Sequence, residues 1–284
     1  MQTQKYSWKS LAEVWKDLKP PMRPSRGEIK IYERFLKQII KKLGKKPKVL
    51  LFGATPELRD LFAKYNLSVT MVDINPEMVS AMDKLTTRQN PKEKKVWGDW
   101  LEFRVKEKFD LACGDHLFCN IPFSKYNPFF ENIIRHLNPD GYCVINVVLR
   151  EIKEKIDFPK FLVKYRKDKK LRQDKEEKWY WLYALMFNSD LYHKKDYGHY
   201  WLSINELLNQ ARARNIETRA EEVGAIADYI FFPRRYLYIV PPRKIFEKAL
   251  KKYFKIIDSD INKKHPVYKC YRIYFAKKWK KNND

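Results

Sequence analysis

Two residues, Gly53 and Asp73, have types and spacing that suit ligand binding. Gly53 follows a short apolar run from Lys48 to Phe52, and Asp73 closes a second apolar run that begins at Val69. A glycine turn lets a ligand approach the backbone, and a carboxylate about twenty residues later can accept hydrogen bonds from ribose hydroxyls. The segment therefore predicts half of a nucleotide-binding βαβ unit and a ligand that contains a ribose.

The turn after Gly53 argues against a diphosphate ligand. It reads Ala54, Thr55, Pro56 and Glu57, so the second and third glycines of the dinucleotide fingerprint are absent. Glu57 also places a negative charge in the first helical turn, where backbone N–H groups would otherwise hold a phosphate. S-adenosylmethionine is a ribose-containing ligand of wide use that carries no phosphate, so we infer this cofactor.

Four segments resemble the successive cofactor motifs of the class I S-adenosylmethionine-dependent methyltransferases. They are, in chain order, VLLFGATPELRD, VTMVDINPEMVSAM, VWGDWLEF and FDLACGDHLF. Each motif is weak alone, and the ordered set is specific. The sequence also resembles a bacterial subgroup of that family, which has a G-x-T-P-E-L first turn and an R-P-S segment ahead of it, here Arg23 to Ser25. The resemblance covers residues 15–150 well, the C-terminal forty residues by pattern, and 151–240 weakly.

The resemblance implies a set of cofactor-binding residues. They are Gly53, Ala54, Thr55, Asp73, Ile74, Met78, Asp99, Trp100, Gly114, Asp115 and Arg23. Asp73 would hold the ribose, while Asp99 would accept from the adenine amino group and the next backbone N–H would donate to a ring nitrogen. Ile74 or Met78 would flank the adenine, and Arg23 or Tyr32 could approach the cofactor's carboxylate or the acceptor. The alternatives are core positions for the two apolar residues and an exposed loop position for Arg23.

Asp115, His116 and Tyr32 are the candidates for catalysis. Ligands of an open parallel sheet lie outside the carboxyl ends of its strands, and Asp115 and His116 follow the predicted fourth strand, residues 109–113. Either could act as a general base, since an unperturbed histidine has a pKa of about 6.5. Alternatively, Asp115 caps the following helix, His116 packs against the cofactor, and Tyr32 is a core ring.

The segment Asn120 to Phe123 resembles the N-I-P-F motif of adenine N6 dimethyltransferases, which hold a flipped base. In that family the asparagine ends the fourth strand. Here Asp115 takes that place, and Asn120 lies five residues further along the chain. We therefore favour a turn that Pro122 ends before the next helix.

Composition favours an ordered protein of the cytoplasm. The four cysteines of the 284-residue chain form no C-x-x-C pair, which is typical of reduced, buried thiols. Neither these cysteines nor the five histidines have metal-ligand spacing, so we predict no metal site. The sequence shows neither the apolar core of a signal peptide nor an apolar run of about 18 residues, so we expect no membrane span.

The net charge of +24 is concentrated away from the predicted cofactor-binding core. Residues 48–147 hold 13 Lys+Arg and 13 Asp+Glu, so the excess of positive charge lies in the flanking segments. It could bind an anionic partner such as RNA, DNA or an acidic membrane surface. The alternative is a set of lysines on solvated helical faces, and no recognisable nucleic-acid module accompanies them.

We predict an α/β fold: a Rossmann-like, doubly wound sheet of seven strands, mostly parallel with a C-terminal antiparallel hairpin, plus helical additions. The expected divisions are an N-terminal helical cap (1–47), the S-adenosylmethionine-binding core (48–150), a helical, aromatic-rich lid or insertion (151–240), and a C-terminal helix and β-hairpin (241–284). Helices are predicted over residues 8–18 and from Glu28 to Leu43, a turn over Asn138 to Gly141 before the fifth strand, and a last strand from Val267 to Lys278. The aromatic residues of the insertion could form an acceptor pocket or stack on a base. Alternatively, the insertion supplies the buried face of a lid helix, made of Trp179, Trp181, Leu182, Leu185 and Met186.

The expected function is transfer of a methyl group to an oxygen or nitrogen nucleophile, most simply on a small molecule. Because a sulfonium methyl is already electrophilic, the protein needs mainly to align the acceptor and exclude water. Two alternatives stay open. One is an RNA or DNA methyltransferase that uses the basic periphery, and the other is a non-catalytic module that only binds the cofactor.

Overall fold

The apolar runs of the sequence form a single large sheet. The computed structural model describes residues 20–21, 23–188, 192–200, 204–218, 222 and 237–279. The strands in these residues are β1 (Val49–Phe52), β2 (Val69–Asp73), β3 (Glu93–Trp97), β4 (Phe109–Gly114), β5 (Leu137–Val148), β6 (Tyr192–His193), β7 (Gly198–Tyr200), β8 (Leu237–Ile239), β9 (Phe254–Asp260) and β10 (Tyr271–Lys278). Seven of them pair in the order β3-β2-β1-β4-β5-β10-β9, and β6, β7 and β8 form a small second sheet.

The large sheet has the predicted mixed topology. Strands β1 to β5 are mutually parallel, whereas β10 runs antiparallel to both β5 and β9. The helices are α1 (Arg26–Leu43), α2 (Pro56–Lys64), α3 (Pro76–Asp83), α4 (Tyr126–His136), α5 (Phe158–Lys167), α6 (Lys169–Gln173), α7 (Lys175–Asn188), α8 (Ile204–Arg212) and α9 (Arg243–Lys251). Apolar clusters fill the spaces under α1 to α3 on one sheet face and under α4 and α9 on the other. The doubly wound α/β fold is therefore confirmed.

The signals that start and stop α1 are local. Ser25 and Glu28 form a reciprocal capping box, in which the Ser25 side chain accepts from the Glu28 N–H and Glu28 accepts from the Ser25 N–H. Gly44 ends the helix with φ +66°, a left-handed conformation that costs glycine little. The helix begins at Arg26, two residues before the predicted start. The helix predicted over residues 8–18 lies outside the described residues.

Two strand boundaries differ from the prediction. Strand β5 begins at Leu137, so the turn expected at 138–141 is the first part of that strand, where Asn138 donates to the Asp110 side chain. Strand β10 begins at Tyr271 and not at Val267. The side chain of His265 caps a 3-10 turn over Pro266–Cys270, which delays the strand.

The insertion packs on the sheet through one apolar cluster. The insertion helices contribute Trp179, Leu182, Leu185 and Met186, all buried as expected for a lid-helix face, and the sheet side contributes Tyr271 and others. Trp181, assigned to the same face, is only partly buried and donates its indole N–H to Glu177. None of the described helices has the length and apolarity that crossing a bilayer requires.

Candidate active site

The parallel register brings the predicted cofactor residues to one edge of the sheet. Phe52 pairs with both Val72 and Gly114, so the turn after β1 lies between the ends of β2 and β4. Asp73, the last residue of β2, pairs with Trp97, the last residue of β3. The carboxyl ends of four neighbouring strands therefore meet where ligands of this fold class lie.

The first turn has the backbone geometry that the sequence predicts. Gly53 has a φ of +78°, a left-handed backbone conformation that residues with a side chain rarely adopt. Its N–H donates to the Val72 carbonyl at 3.0 Å. Ala54 is buried, and Thr55 precedes α2 without using its hydroxyl as a cap. The first N–H groups of α2 therefore have no side-chain cap at the edge where a ligand would lie.

Asp73 is poised to accept hydrogen bonds from a ligand. Its carboxylate is 8% exposed and accepts from the Asn75 N–H at 2.8 Å. Burial raises the pKa of Asp73 to about 6, because few donors compensate for lost water. Hydroxyl groups arriving at this carboxylate would supply those donors, which fits the ribose role.

The adenine side of the edge combines exposed apolar groups with an exposed acid. Ile74 is 54% exposed, as suits a ligand contact, whereas Met78 is buried and belongs to the core cluster under α3. Asp99 is exposed and accepts from the Leu101 N–H. Trp97, which sequence reasoning passed over, is also 54% exposed. Its position as the last apolar residue of β3 was the available signal.

The indole of Trp100 has a structural role. Its Nε1–H donates to the Val72 carbonyl at 2.9 Å, and its ring packs edge-on against Phe52. These contacts fix the loop after β3 against β1 and β2. The predicted adenine contact uses the backbone N–H of Trp100, so the two roles are compatible.

Arg23 lies beside the first turn and forms an ion pair with Glu57. Its Nη2 and Nε atoms lie 2.5 and 2.6 Å from Glu57 Oε1. Arg23 therefore lies beside the turn after β1, and its approach to the cofactor's carboxylate stays a prediction. Glu57 is paired with this arginine, and its negative charge still acts on Asp115. Sequence reasoning missed it as a site residue.

Tyr32, Gly114 and Asp115 come together at the end of β4. The Tyr32 hydroxyl donates to the Gly114 carbonyl at 2.9 Å and lies 3.5 Å from Asp115 Oδ1. Asp115 does not cap the next turn, because the 3-10 turn over Phe118–Asn120 follows Leu117 without a side-chain cap. The Asp115 carboxylate instead faces α1 and β5.

Two residues absent from the predicted site, Glu28 and Asn146, complete a buried acid cluster with Asp115. The Asn146 side-chain amide donates to Glu28 Oε1 at 3.1 Å and also hydrogen-bonds to Asp115. Glu28 Oε2 accepts from the Ser25 N–H and hydroxyl at 2.9 and 2.7 Å. The one signal for Asn146 was a lone amide in the otherwise apolar strand YCVINVV.

Burial controls the charge of this cluster. It raises the pKa of Glu28 and that of Asp115 to about 7 each, the negative charge of Asp115 acting further on Glu28 and that of Glu57 on Asp115. Burial also lowers the pKa of His116 to about 4, so its imidazole is neutral at neutral pH. The His116 ring packs against Tyr271 at 5.0 Å between centroids, as the packing alternative expects.

The segment Asn120 to Phe123 forms turns. Asn120 Nδ2 donates to the His116 carbonyl at 3.0 Å, and the Phe123 ring packs edge-on against Tyr197. These contacts fit the turn interpretation better than the base-binding one. In the described part of the chain, no group of three or more histidine, cysteine or acidic side chains could hold a metal ion.

Two surface clefts lie away from this edge. One of about 570 Å³ is lined by Arg166, Thr218 and Glu222 among others, and one of about 550 Å³ by Lys175, Lys264 and their neighbours. Both are open, mixed-charge depressions on the insertion and its border. Neither contains a residue of the predicted site.

The acid cluster predicts how stability depends on pH. The folded chain holds the Glu28 proton up to about pH 7, whereas the unfolded chain releases it near 4.5, so the free energy of unfolding should fall as pH rises through that window. Glu28→Gln keeps the capping box and removes this loss, on the order of 3 kcal/mol. Denaturant unfolding at several pH values should show a flatter profile for Glu28→Gln. Parallel profiles for the two proteins would contradict the shift.

Comparisons with known proteins agree with this geometry. The profile of a family described as "Methyltransferase domain" matches residues 26–225. Among curated proteins, none is significantly similar in sequence. Three solved structures are similar in fold. N-methyltransferase NodS from Bradyrhizobium japonicum with S-adenosylhomocysteine is 9% identical in sequence, with a TM-score of 0.53 over 95% of this chain and 98% of that one. The CcbJ methyltransferase from Streptomyces caelestis is 12% identical (TM-score 0.54, 94% of this chain and 96% of that one), and 1,6-didemethyltoxoflavin-N1-methyltransferase from Burkholderia thailandensis is 16% identical (TM-score 0.50, 96% of this chain and 84% of that one).

The family profile spans more than half of the chain and includes the turn after β1, the end of β2 and the end of β4. Identities this low show only that the solved structures share the fold. Profile, fold and the predicted motif order lead to the same assignment. The chain belongs to the methyltransferase domain family and is a class I S-adenosylmethionine-dependent methyltransferase.

Proposed function

We propose that this enzyme methylates a nitrogen or oxygen nucleophile of a small molecule and that Asp115 lies at the acceptor. The observation that carries the proposal is the position of Asp115, which follows β4 beside the Gly53 turn and is hydrogen-bonded by Tyr32 and Asn146. A carboxylate in this place can orient the acceptor and take its proton.

The other edge residues support binding of the cofactor along the strand ends. Asp73 would accept from the ribose hydroxyls, and Ile74 and Trp97 offer exposed apolar surface to the adenine. Arg23 lies where it can meet a carboxylate. When bound, S-adenosylmethionine supplies an electrophilic methyl group.

The chain's own residues then need to align and shield the acceptor. Tyr32 holds the Asp115 carboxylate in place, while the buried aromatic cluster of α7 and Tyr271 limits access of water next to His116. Alignment of this kind can supply about 7–11 kcal/mol of the barrier. A metal or a nucleophilic triad is not required for this chemistry.

Calorimetric titration with S-adenosylmethionine and S-adenosylhomocysteine, followed by transfer of labelled methyl to small-molecule and RNA fractions, tests the proposal. We expect binding of both ligands and label in the small-molecule fraction. Binding without transfer to any fraction would favour the non-catalytic module, and no binding of either ligand would contradict the proposal.

The basic C-terminal surface favours a second candidate, an RNA acceptor. Five lysines of α9, the turn after it and the start of β9 are exposed: Lys244, Lys248, Lys251, Lys252 and Lys255. Such a surface would bind phosphates with an affinity that falls steeply with salt. Label in the RNA fraction, together with salt-dependent RNA binding, would favour the RNA acceptor over the small-molecule acceptor.

A further inference from the structure

The acid cluster of Glu28, Asp115 and Asn146 holds more hydrogen-bond acceptors than donors. Two carboxyls share one amide group, and within the described residues neither forms an ion pair with a lysine or arginine. A neighbouring histidine, His116, has its Nδ1 3.9 Å from Asp115 Oδ2, but its imidazole is neutral at neutral pH. Whenever either carboxyl loses its proton, the cluster therefore carries negative charge that no lysine or arginine of the described residues pairs with.

A fully buried acceptor in the cluster has no partner. Asn146 is 0% exposed, its Nδ2 serves the carboxyls, and its Oδ1 has no hydrogen-bond partner among the described residues. Buried polar atoms are nearly always hydrogen-bonded, so an oxygen of this kind calls for a donor that the described residues do not supply. The Asn146 oxygen and the two carboxyls are all hydrogen-bond acceptors, so a ligand with several N–H groups would match them.

The cluster lies at the strand ends where the methyl group is expected. Gly114 pairs with Phe52, so Asp115 follows β4 next to the turn at Gly53. The charge of Glu57, in the first turn of α2, acts on Asp115. Asp115 is thus the member of the cluster that borders the cofactor edge, with Glu28 and Asn146 behind it.

We infer that the acceptor is a primary or secondary amine, whose N–H groups point at Asp115 while Glu28 and Asn146 act as positioning residues. The inference rests on the proposed function and narrows it. An ammonium brings several donors and a positive charge, which match the cluster. Phenolates and carboxylates would be repelled by two carboxyls, and an alcohol offers only one donor.

The proton and electron balance of the step is simple. The ammonium gives one proton to the Asp115 carboxylate and becomes a neutral amine. Its nitrogen lone pair forms the bond to the methyl carbon, the carbon–sulfur bond breaks, and the bonding pair stays on sulfur. The methylated product leaves as an ammonium, and Asp115 passes its proton to water.

The charges of Glu28 and Asp115 interact: the negative charge of Asp115 raises the pKa of Glu28, and such an interaction acts in both directions. Burial and the neighbouring carboxyls keep the pKa of Asp115 at about 7, well suited to exchanging a proton with an amine. The titratable and charged groups around the two carboxyls are Tyr32 on α1, Arg23 and Glu57 at the first turn, Cys113 on β4, His116 and Cys119 in the loop after β4, Tyr268 in the 3-10 turn before β10, and Tyr271 on β10.

Matched acceptor pairs test the inference with the full chain. Labelled S-adenosylmethionine is supplied with benzylamine or benzyl alcohol, with glucosamine or glucose, and with phenol or benzoate, and the products are separated by mass spectrometry. We expect label only in the amines. Label in the alcohols, in phenol or in benzoate, with the amines unlabelled, would overturn the inference and leave the proposed function intact. Cofactor binding without label in any amine would also overturn the inference. Failure to bind the cofactor would contradict both.

Two variants separate the roles of the acids. Asp115→Asn should lower kcat/KM for the amine by about 10²–10⁴-fold, the usual contribution of a general base. Glu28→Gln should move the acidic limb of the pH profile to lower pH, because removal of a negative charge lowers the pKa of Asp115. Thermal unfolding and binding of S-adenosylhomocysteine verify that each variant folds. An equal loss of rate at every pH in Glu28→Gln would mean a merely structural role and would overturn this part.

Discussion

Asp73→Ala is expected to weaken binding of S-adenosylmethionine and S-adenosylhomocysteine by at least about 100-fold, because each charge-assisted hydrogen bond to a ribose hydroxyl contributes about 1.5–3 kcal/mol. The carboxylate lies at the end of β2, where the described chain provides it with the N–H of Asn75. Calorimetric titration of both ligands into wild type and variant measures the loss.

Asp73→Asn is the matched control. The asparagine oxygen can still accept from the Asn75 N–H, so the local turn should survive while the charge is lost, and binding should fall to an intermediate value. Without ligand the variant should be at least as stable as wild type near pH 7, because burial raises the pKa of Asp73 and makes its charged form costly. Undiminished cofactor affinity in Asp73→Ala would refute the ribose role.

The largest effect on stability is expected for Arg59→Met, which should lower the free energy of unfolding by about 3–5 kcal/mol, the cost of breaking a buried ion pair. Arg59 lies on α2 and is almost fully buried. Its guanidinium contacts Glu93 on β3 at 2.6 Å and Asp83 at the end of α3 at 2.7 Å. Methionine fills part of the volume but leaves the buried Glu93 carboxylate unpaired. Denaturant unfolding at neutral pH measures the change.

Lys94→Met is the control for that variant, since it removes a cation from β3, the strand that carries the Glu93 partner. Lys94 pairs with Glu107 at 2.9 Å, but both side chains are exposed, so the change should be within about 0.5 kcal/mol of zero. Similar losses in the two variants would show that burial of the Arg59 pair is not what matters. A loss in Arg59→Met that disappears in Arg59→Met/Glu93→Gln would instead locate the cost in the unpaired acid.

The cofactor edge could be predicted from the sequence because its signals are local. The spacing of Gly53 and Asp73 and the apolar runs before them indicate a ligand site, and the strand register then brings Gly114 beside them. The ordered motifs gave the sheet topology, including the antiparallel last strand. Boundary errors arose where side-chain caps or pairing overrode the local pattern, as at Leu137 and Tyr271.

The acid cluster could not be predicted, because its members lie far apart in the chain. Glu28 looks like an ordinary capping-box residue, and only the packing of α1 on β5 brings it to Asn146, 118 residues away. The same packing brings Tyr32 to Gly114. No spacing rule connects such positions. Trp97 and Glu57 were missed for another reason. An apolar residue at the end of a strand and an acid in the first turn of a helix are both common structural features, so neither indicates a site in the sequence.

The apolar cluster between the insertion and the sheet has a consequence for motion. Trp179, Tyr183 and Phe187 on α7 are fully buried and share this cluster with Tyr271 of β10. Swinging α7 away from the sheet would expose all three rings, at about 1.5–3 kcal/mol for each large side chain. Amide hydrogen exchange of α7 should therefore be as slow as that of β10, with both opening in one cooperative event. The position of α7 on the sheet is then set by folding, so any ligand that contacts this helix would meet a surface that exists before the ligand binds.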